Sequence, residues 1–204
     1  METLILNNVG MSKESCKFLS QYAKNTAPMN LKRLELYNNM SGDEGAIEIA
    51  SVISVCPHLE VFRWASNRSN EKGARALSEA LLNCPNMRRL EFKDNYFGED
   101  GGEFLSKAIE CMKDLKELVL ADLLIEEEGL IPMLHTIMSN ELNLRVIDLS
   151  LNCMSVEALQ QLMDILPSQS ELEELDLGGN YFGSESCRVG YSLRCSLVAT
   201  GGGD

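Results

Sequence analysis

The chain has 204 residues, with 31 acidic against 18 basic side chains and a formal charge of −13. That balance argues against nucleic acid, whose phosphates would be repelled, and favours a basic protein surface drawn in by long-range attraction, though acidity also serves plain solubility. Seven cysteines without a CxxC pair point to a reducing compartment and no metal site, and no apolar run is long enough for membrane insertion.

Taken in chain order, the first element is a short strand framed by Met1, Leu4, Leu6 and Val9, with Gly10 as a turn residue. The next is a complete copy of the same frame, Leu31-Leu34-Leu36-Asn39. It is followed by a turn at Gly42, a small residue at Gly45 and apolar positions Ile49 and Ile53 at helical spacing. The pattern returns as Leu59-Phe62-Trp64-Asn67 with Gly73 and Leu77-Leu81. It returns again as Met87-Leu90-Phe92-Asn95 with Gly98, Gly101 and Leu105-Ile109. Leu115-Leu118-Leu120-Leu123 keeps the apolar frame without the asparagine and leads to Gly129 and Met133-Ile137. Leu144-Ile147-Leu149-Asn152, with Ala158 and Leu162-Leu166, and Leu172-Leu175-Leu177-Asn180 complete the series.

The frames start at 31, 59, 87 and 115, then at 144 and 172, so the period is 28 residues with one step of 29. A period of this size with this frame defines a leucine-rich-repeat array. The expected fold is an α/β solenoid, a right-handed crescent with a parallel sheet on its concave face and helices on its convex face. Leu34, Leu36, Leu90 and Leu118 should be buried, and helices should begin near Gly45, Gly73 and Gly101. The array spans 1–183, and 184–204 reads as an irregular tail that lacks helical apolar spacing and ends in three glycines.

Within each unit the strand alternates, so Leu34 and Leu36 point inward while Arg33, Glu35 and Tyr37 point outward. The frame asparagines Asn39, Asn67, Asn95, Asn152 and Asn180 can satisfy turn backbone with their amides and read as structural. Just before them runs a second column: Asn38, Ser66, Asp94, Asp122, Leu151 and Gly179. It sits at the strand ends, where open parallel sheets commonly receive ligands. Glu35, Tyr37, Arg63, Glu91 and Lys93 lie beside it. No GxSxG, HExxH or Gly-rich phosphate loop occurs, and His58 and His135 are isolated, so an enzyme with its own covalent chemistry is not expected.

The segments LELYNNMSGDEGA, VFRWASNRSNEKGARALSEAL, LEFKDNYFGEDGGEFLSKAI and LVLADLLIEEEGL, in that order, resemble the repeats of Ran GTPase-activating proteins, the plant type most. The resemblance implies a crescent that docks on Ran in its GTP-bound form and accelerates hydrolysis without an arginine finger. A rim asparagine would hold Ran's catalytic glutamine beside the attacking water. The family's strand-end His-Asn-Asn matches Tyr37-Asn38-Asn39, so this role falls to Asn38. Asp94 and Asp122 match acidic positions that face Ran; Glu35, Tyr37, Glu91, Lys93 and Arg68 complete the expected partner-binding set. The resemblance further implies no cofactor, a monomer, and a place in the cytoplasm or at the nuclear envelope. Ser66 departs from members with arginine there, while Asn67-Arg68 keeps part of their motif. Measured against the family, the chain reads as truncated at both ends.

Two other readings remain beside this one. A truncated relative would keep the binding face as a non-catalytic interaction module. A ribonuclease-inhibitor-like scaffold would present an acidic concave face to a basic partner, although the strict alternation of two repeat types expected there is missing.

Overall fold

A single leucine-rich unit cannot bury the apolar face of its strand, so successive copies stack and share one core. The computed structural model describes residues 1–182 and 194–195. Strands β1 (Thr3–Ile5), β2 (Arg33–Tyr37), β3 (Val61–Ala65), β4 (Arg89–Glu91), β5 (Glu117–Val119), β6 (Val146–Asp148) and β7 (Glu174–Asp176) alternate with six helices. These are α1 (Lys13–Thr26), α2 (Gly42–Ile53), α3 (Glu71–Leu81), α4 (Gly98–Ile109), α5 (Glu127–Ser139) and α6 (Val156–Ile165). The strands lie in sequence order, and every neighbouring pair from β1 to β7 is parallel. This is the leucine-rich-repeat solenoid, α/β in class, with the sheet on one face and the helices on the other.

The register reproduces the frame. Leu34 lies opposite Phe62, Phe62 opposite Leu90, Leu90 opposite Leu118, and Leu118 opposite Ile147. All five are fully buried, as is Leu36. Aromatic residues fill the middle of the core: Phe92 meets Phe62 edge-on at 5.6 Å and Phe97 at 5.2 Å between ring centroids. The buried Trp64 indole N–H donates to Ser69 Oγ at 2.8 Å, so its polar end is satisfied.

The helices begin two or three residues before the expected glycines, at Gly42, Glu71, Gly98 and Glu127. The glycines lie in the first turn because that turn abuts the preceding repeat, not because a helix must start there. A Cβ on Gly102 would come within 2.7 Å of Gly129 Cα, and one on Gly129 within 2.6 Å of the Glu99 carbonyl oxygen. The backbones of α4 and α5 therefore meet directly. The start of α3 is capped from the previous unit: Asp43 Oδ1 accepts the N–H groups of Asn70 (2.7 Å) and Gly73 (3.0 Å).

Buried asparagines tie each strand-end turn to the turn before it. Asn39 Oδ1 accepts the N–H groups of Val9 and Met11, and its Nδ2 donates to the Leu6 carbonyl at 2.7 Å. Asn95 repeats the scheme: it accepts from Asn67 and Ser69 and donates to the Trp64 carbonyl. Asn152 accepts from Leu123 and Ile125 and donates to Leu120. At Leu123 the ladder is interrupted, and the Asn95 N–H turns to the Asp122 carbonyl at 3.1 Å instead.

The expected irregular tail, 184–204, lies outside the described residues except at Arg194–Cys195. These two form β8, paired antiparallel with β7, unlike every strand before it.

Candidate interaction site on the strand-end rim

At the end of each strand the chain must turn out of the sheet, and it does so through a left-handed residue just before the last frame position, which is an asparagine in all but the first and fifth copies. Asn8 (φ 56°), Asn38 (53°), Ser66 (54°), Asp94 (58°), Asp122 (54°), Leu151 (57°) and Gly179 (74°) all share this conformation. Asparagine and aspartate tolerate it best among residues with a Cβ. The same kink separates neighbours in the chain: Asn38 is exposed while Asn39 is 5% exposed. Asn38 Nδ2 donates to Asn8 Oδ1 at 2.8 Å, fixing the amide along the rim. No hydrogen bond to Asn38 Oδ1 is found among the described residues, and the residue as a whole is exposed.

Farther along the column, Asp94 is exposed and Asp122 half-buried. Burial, reinforced by the Asp94 carboxylate, raises the Asp122 carboxyl above the ordinary aspartate value, and Lys93 only partly offsets this. The two carboxylates thus sit on adjacent rungs of the rim, with Lys93 as the cation beside them. Arg68 and Lys93 are both exposed at the same rim, and Arg68 too is left-handed (φ 57°).

The remaining expected contact residues lie lower, on the open face of the sheet, and are engaged within the molecule. Glu35 is 8% and Glu91 4% exposed. Arg33 pairs with Glu35, while Arg63 (2.7 Å) and Arg89 (2.9 Å) both pair with Glu91. The Arg63 guanidinium stacks 4.4 Å over the half-buried Tyr37 ring. The lattice continues through Glu117, which pairs with Arg89 and Arg145, to Glu173, 2.9 Å from Arg145. Glu35 and Glu91, grouped in the sequence with the exposed rim, are thus already neutralised, and their carboxylates brace the sheet floor. Between them lies a shallow basin of about 530 Å³.

Sequence reasoning placed Arg33, Arg63 and Leu151 on the outer surface but missed the lattice as a whole, and it missed the apolar residues that accompany Leu151 at the rim: Met40, Tyr96, Leu124 and Tyr181, each, like Leu151, about half exposed. The signal for the lattice was present, since Arg33, Arg89 and Glu117 share one register column and Glu35, Arg63 and Glu91 the next. Opposite charges on adjacent strands then fall side by side.

No family model matches the sequence, and no curated protein matches it either. Among solved structures, the tropomodulin C-terminal domain of Caenorhabditis elegans is similar in fold, with a TM-score of 0.57 and 19% sequence identity. The match covers 78% of this chain and 93% of that one. At that identity the likeness is one of fold. The class so defined is a leucine-rich-repeat domain whose strand-end rim carries its uncommitted polar and apolar side chains.

Proposed function

We propose that this chain is an activator of a Ran-type small GTPase, docking its rim on the GTP-bound form and orienting the partner's catalytic glutamine with Asn38. The observation that carries the reading is the division of labour between Asn38 and Asn39. One amide is held at the surface by its N–H, with its acceptor uncommitted among the described residues; the other is consumed by the turn. GTP hydrolysis depends on the placement of water and on charge stabilisation, so an activator need add only an orienting group and exclude solvent. The Asn38 carbonyl oxygen can accept an N–H from a glutamine carboxamide, leaving the glutamine oxygen for the water. A neutral amide does this without adding charge. The activator itself makes and breaks no covalent bond, and in this reading it works in the cytoplasm or at the nuclear envelope.

The acidic rim supports a partner with basic side chains, and Asp94 and Asp122 lie two and three rungs from Asn38, within one docking footprint at ordinary strand spacing. The exposed apolar rim fits a second reading, a leucine-rich-repeat module that binds without activating. Titration against Ran loaded with a non-hydrolysable GTP analogue and against Ran-GDP tests the proposal. Preferential binding of the GTP form is expected; equal affinity for both forms, or none for either, overturns it.

A further inference from the structure

The rim changes character along its length. Its first five column positions are polar, Asn8 through Asp122, and the sixth is Leu151. Leu151 is 50% exposed, and Leu124 on the previous rung and Tyr181 on the next are 48% and 49% exposed. Backbone hydrogen bonds join these rungs: Asp122 N–H to the Ser150 carbonyl, Leu151 N–H to Gly178, and Tyr181 N–H to Met154. The three apolar side chains therefore lie on consecutive, rigidly linked turns.

Two features set this patch apart from scattered surface leucines. First, both leucines are left-handed, Leu124 and Leu151 each at φ 57°. This conformation disfavours a bulky residue, and asparagine or glycine would relieve it. The conformation belongs to the repeat turn, since Met40 and Arg68 share it; what is particular here is that consecutive turns carry exposed apolar side chains in it. Second, the next rung makes room for Leu151: a Cβ on Gly179 would lie 2.4 Å from Leu151 Cδ2. The leucine lies across a glycine that is itself left-handed (φ 74°), so its orientation is set by the fold.

The charge around the patch indicates its occupant. Asp122 immediately precedes Leu123 and Leu124 and stands one rung from Leu151, with Asp94 on the rung before. Glu126 is near enough to Cys153 to help raise its thiol pKa, although burial is the larger cause. An apolar side chain seated here would bring its own flanking residues against carboxylates.

We infer that Leu124, Leu151 and Tyr181 form an anchoring patch for one exposed apolar side chain of the partner, with Asp94 and Asp122 taking the lysine or arginine that flanks it. This rests on the Ran-type reading above and places an apolar anchor beside a charged clamp. Affinity then resides at the far end of the rim and rate acceleration at the Asn38 end.

Leu124→Asn, Leu151→Asn and the double variant test this, with Leu82→Ala, an exposed leucine at the end of α3, as control. Each is titrated with Ran-GTP, and the hydrolysis rate at saturation is read together with the thermal midpoint. The double variant should bind at least tenfold more weakly, keep the saturating rate, and melt no lower than wild type because strain is removed. Leu82→Ala should change nothing. Wild-type affinity in a folded double variant overturns the patch while leaving the activator reading intact. Failure of the wild-type chain to bind Ran-GTP overturns both.

Discussion

Asn38 and Asn39 are adjacent in the chain, yet one amide lies on the surface bonded to Asn8 and the other is buried against Leu6, Val9 and Met11. The left-handed turn at Asn38 produces the separation, since it ends the strand and reverses the side-chain direction within one residue.

That separation predicts opposite phenotypes. Asn39→Ala leaves buried N–H groups without acceptors and should lower folding stability by about 1–3 kcal/mol or more. Asn38→Ala should cost only about 1 kcal/mol, from placing alanine in a left-handed turn. Asn38→Gly should fold as well as wild type. Urea denaturation of the three variants checks the ordering.

Leu118 is fully buried between Leu90 and Ile147. Leu118→Ala should therefore cost about 2–5 kcal/mol. A matched truncation at the half-exposed Leu82 should leave the urea midpoint nearly unchanged.

The array was legible because burial imposes the frame: an apolar residue at every inward strand position leaves a trace that composition cannot hide. The exposure of Asn38 and the burial of Asn39 were legible for the same reason, since the frame marks which asparagine faces inward. The arginine–glutamate lattice was less so. Arg145 lies outside β6, yet it reaches Glu117 and Glu173 on either side, a geometry that strand alternation does not encode. The apolar rim escaped because left-handed residues break the alternation. Leu123 takes the frame position and is buried, while Leu124, which the frame does not assign, is half exposed.

The carboxylates should shape the acid limb of stability with opposite signs. Burial alone would raise Glu117, but Arg145 and Arg89 outweigh it and hold its carboxyl below the ordinary value. Its contribution is complete above the unfolded-state carboxylate pKa and is lost as pH falls through the lower folded value. Asp122 is raised, so its charged form weakens the folded state above the folded pKa, and protonation relieves this as pH falls. Asp122→Asn should raise the thermal midpoint at neutral pH and lose that advantage near pH ~3, while Glu117→Gln should lower it at neutral pH. Melting curves across that range give both signs.

Burial pushes the Cys56 thiol up to about 11 and the Cys84 thiol up to about 12. Both are fully buried, whereas Cys111 and Cys153 are partly exposed. Brief alkylation at pH ~8, read by peptide mass spectrometry, should label Cys111 and Cys153 and spare Cys56 and Cys84 until denaturant is added.

Single-turnover GTP hydrolysis by Ran, with this chain in excess, tests the central claim most directly. The wild-type chain should accelerate hydrolysis, and Asn38→Gly should reduce the saturating rate on the order of a hundredfold or more while still binding. Tight binding of Ran-GTP with no acceleration, or an Asn38→Gly variant as active as wild type, would contradict the account.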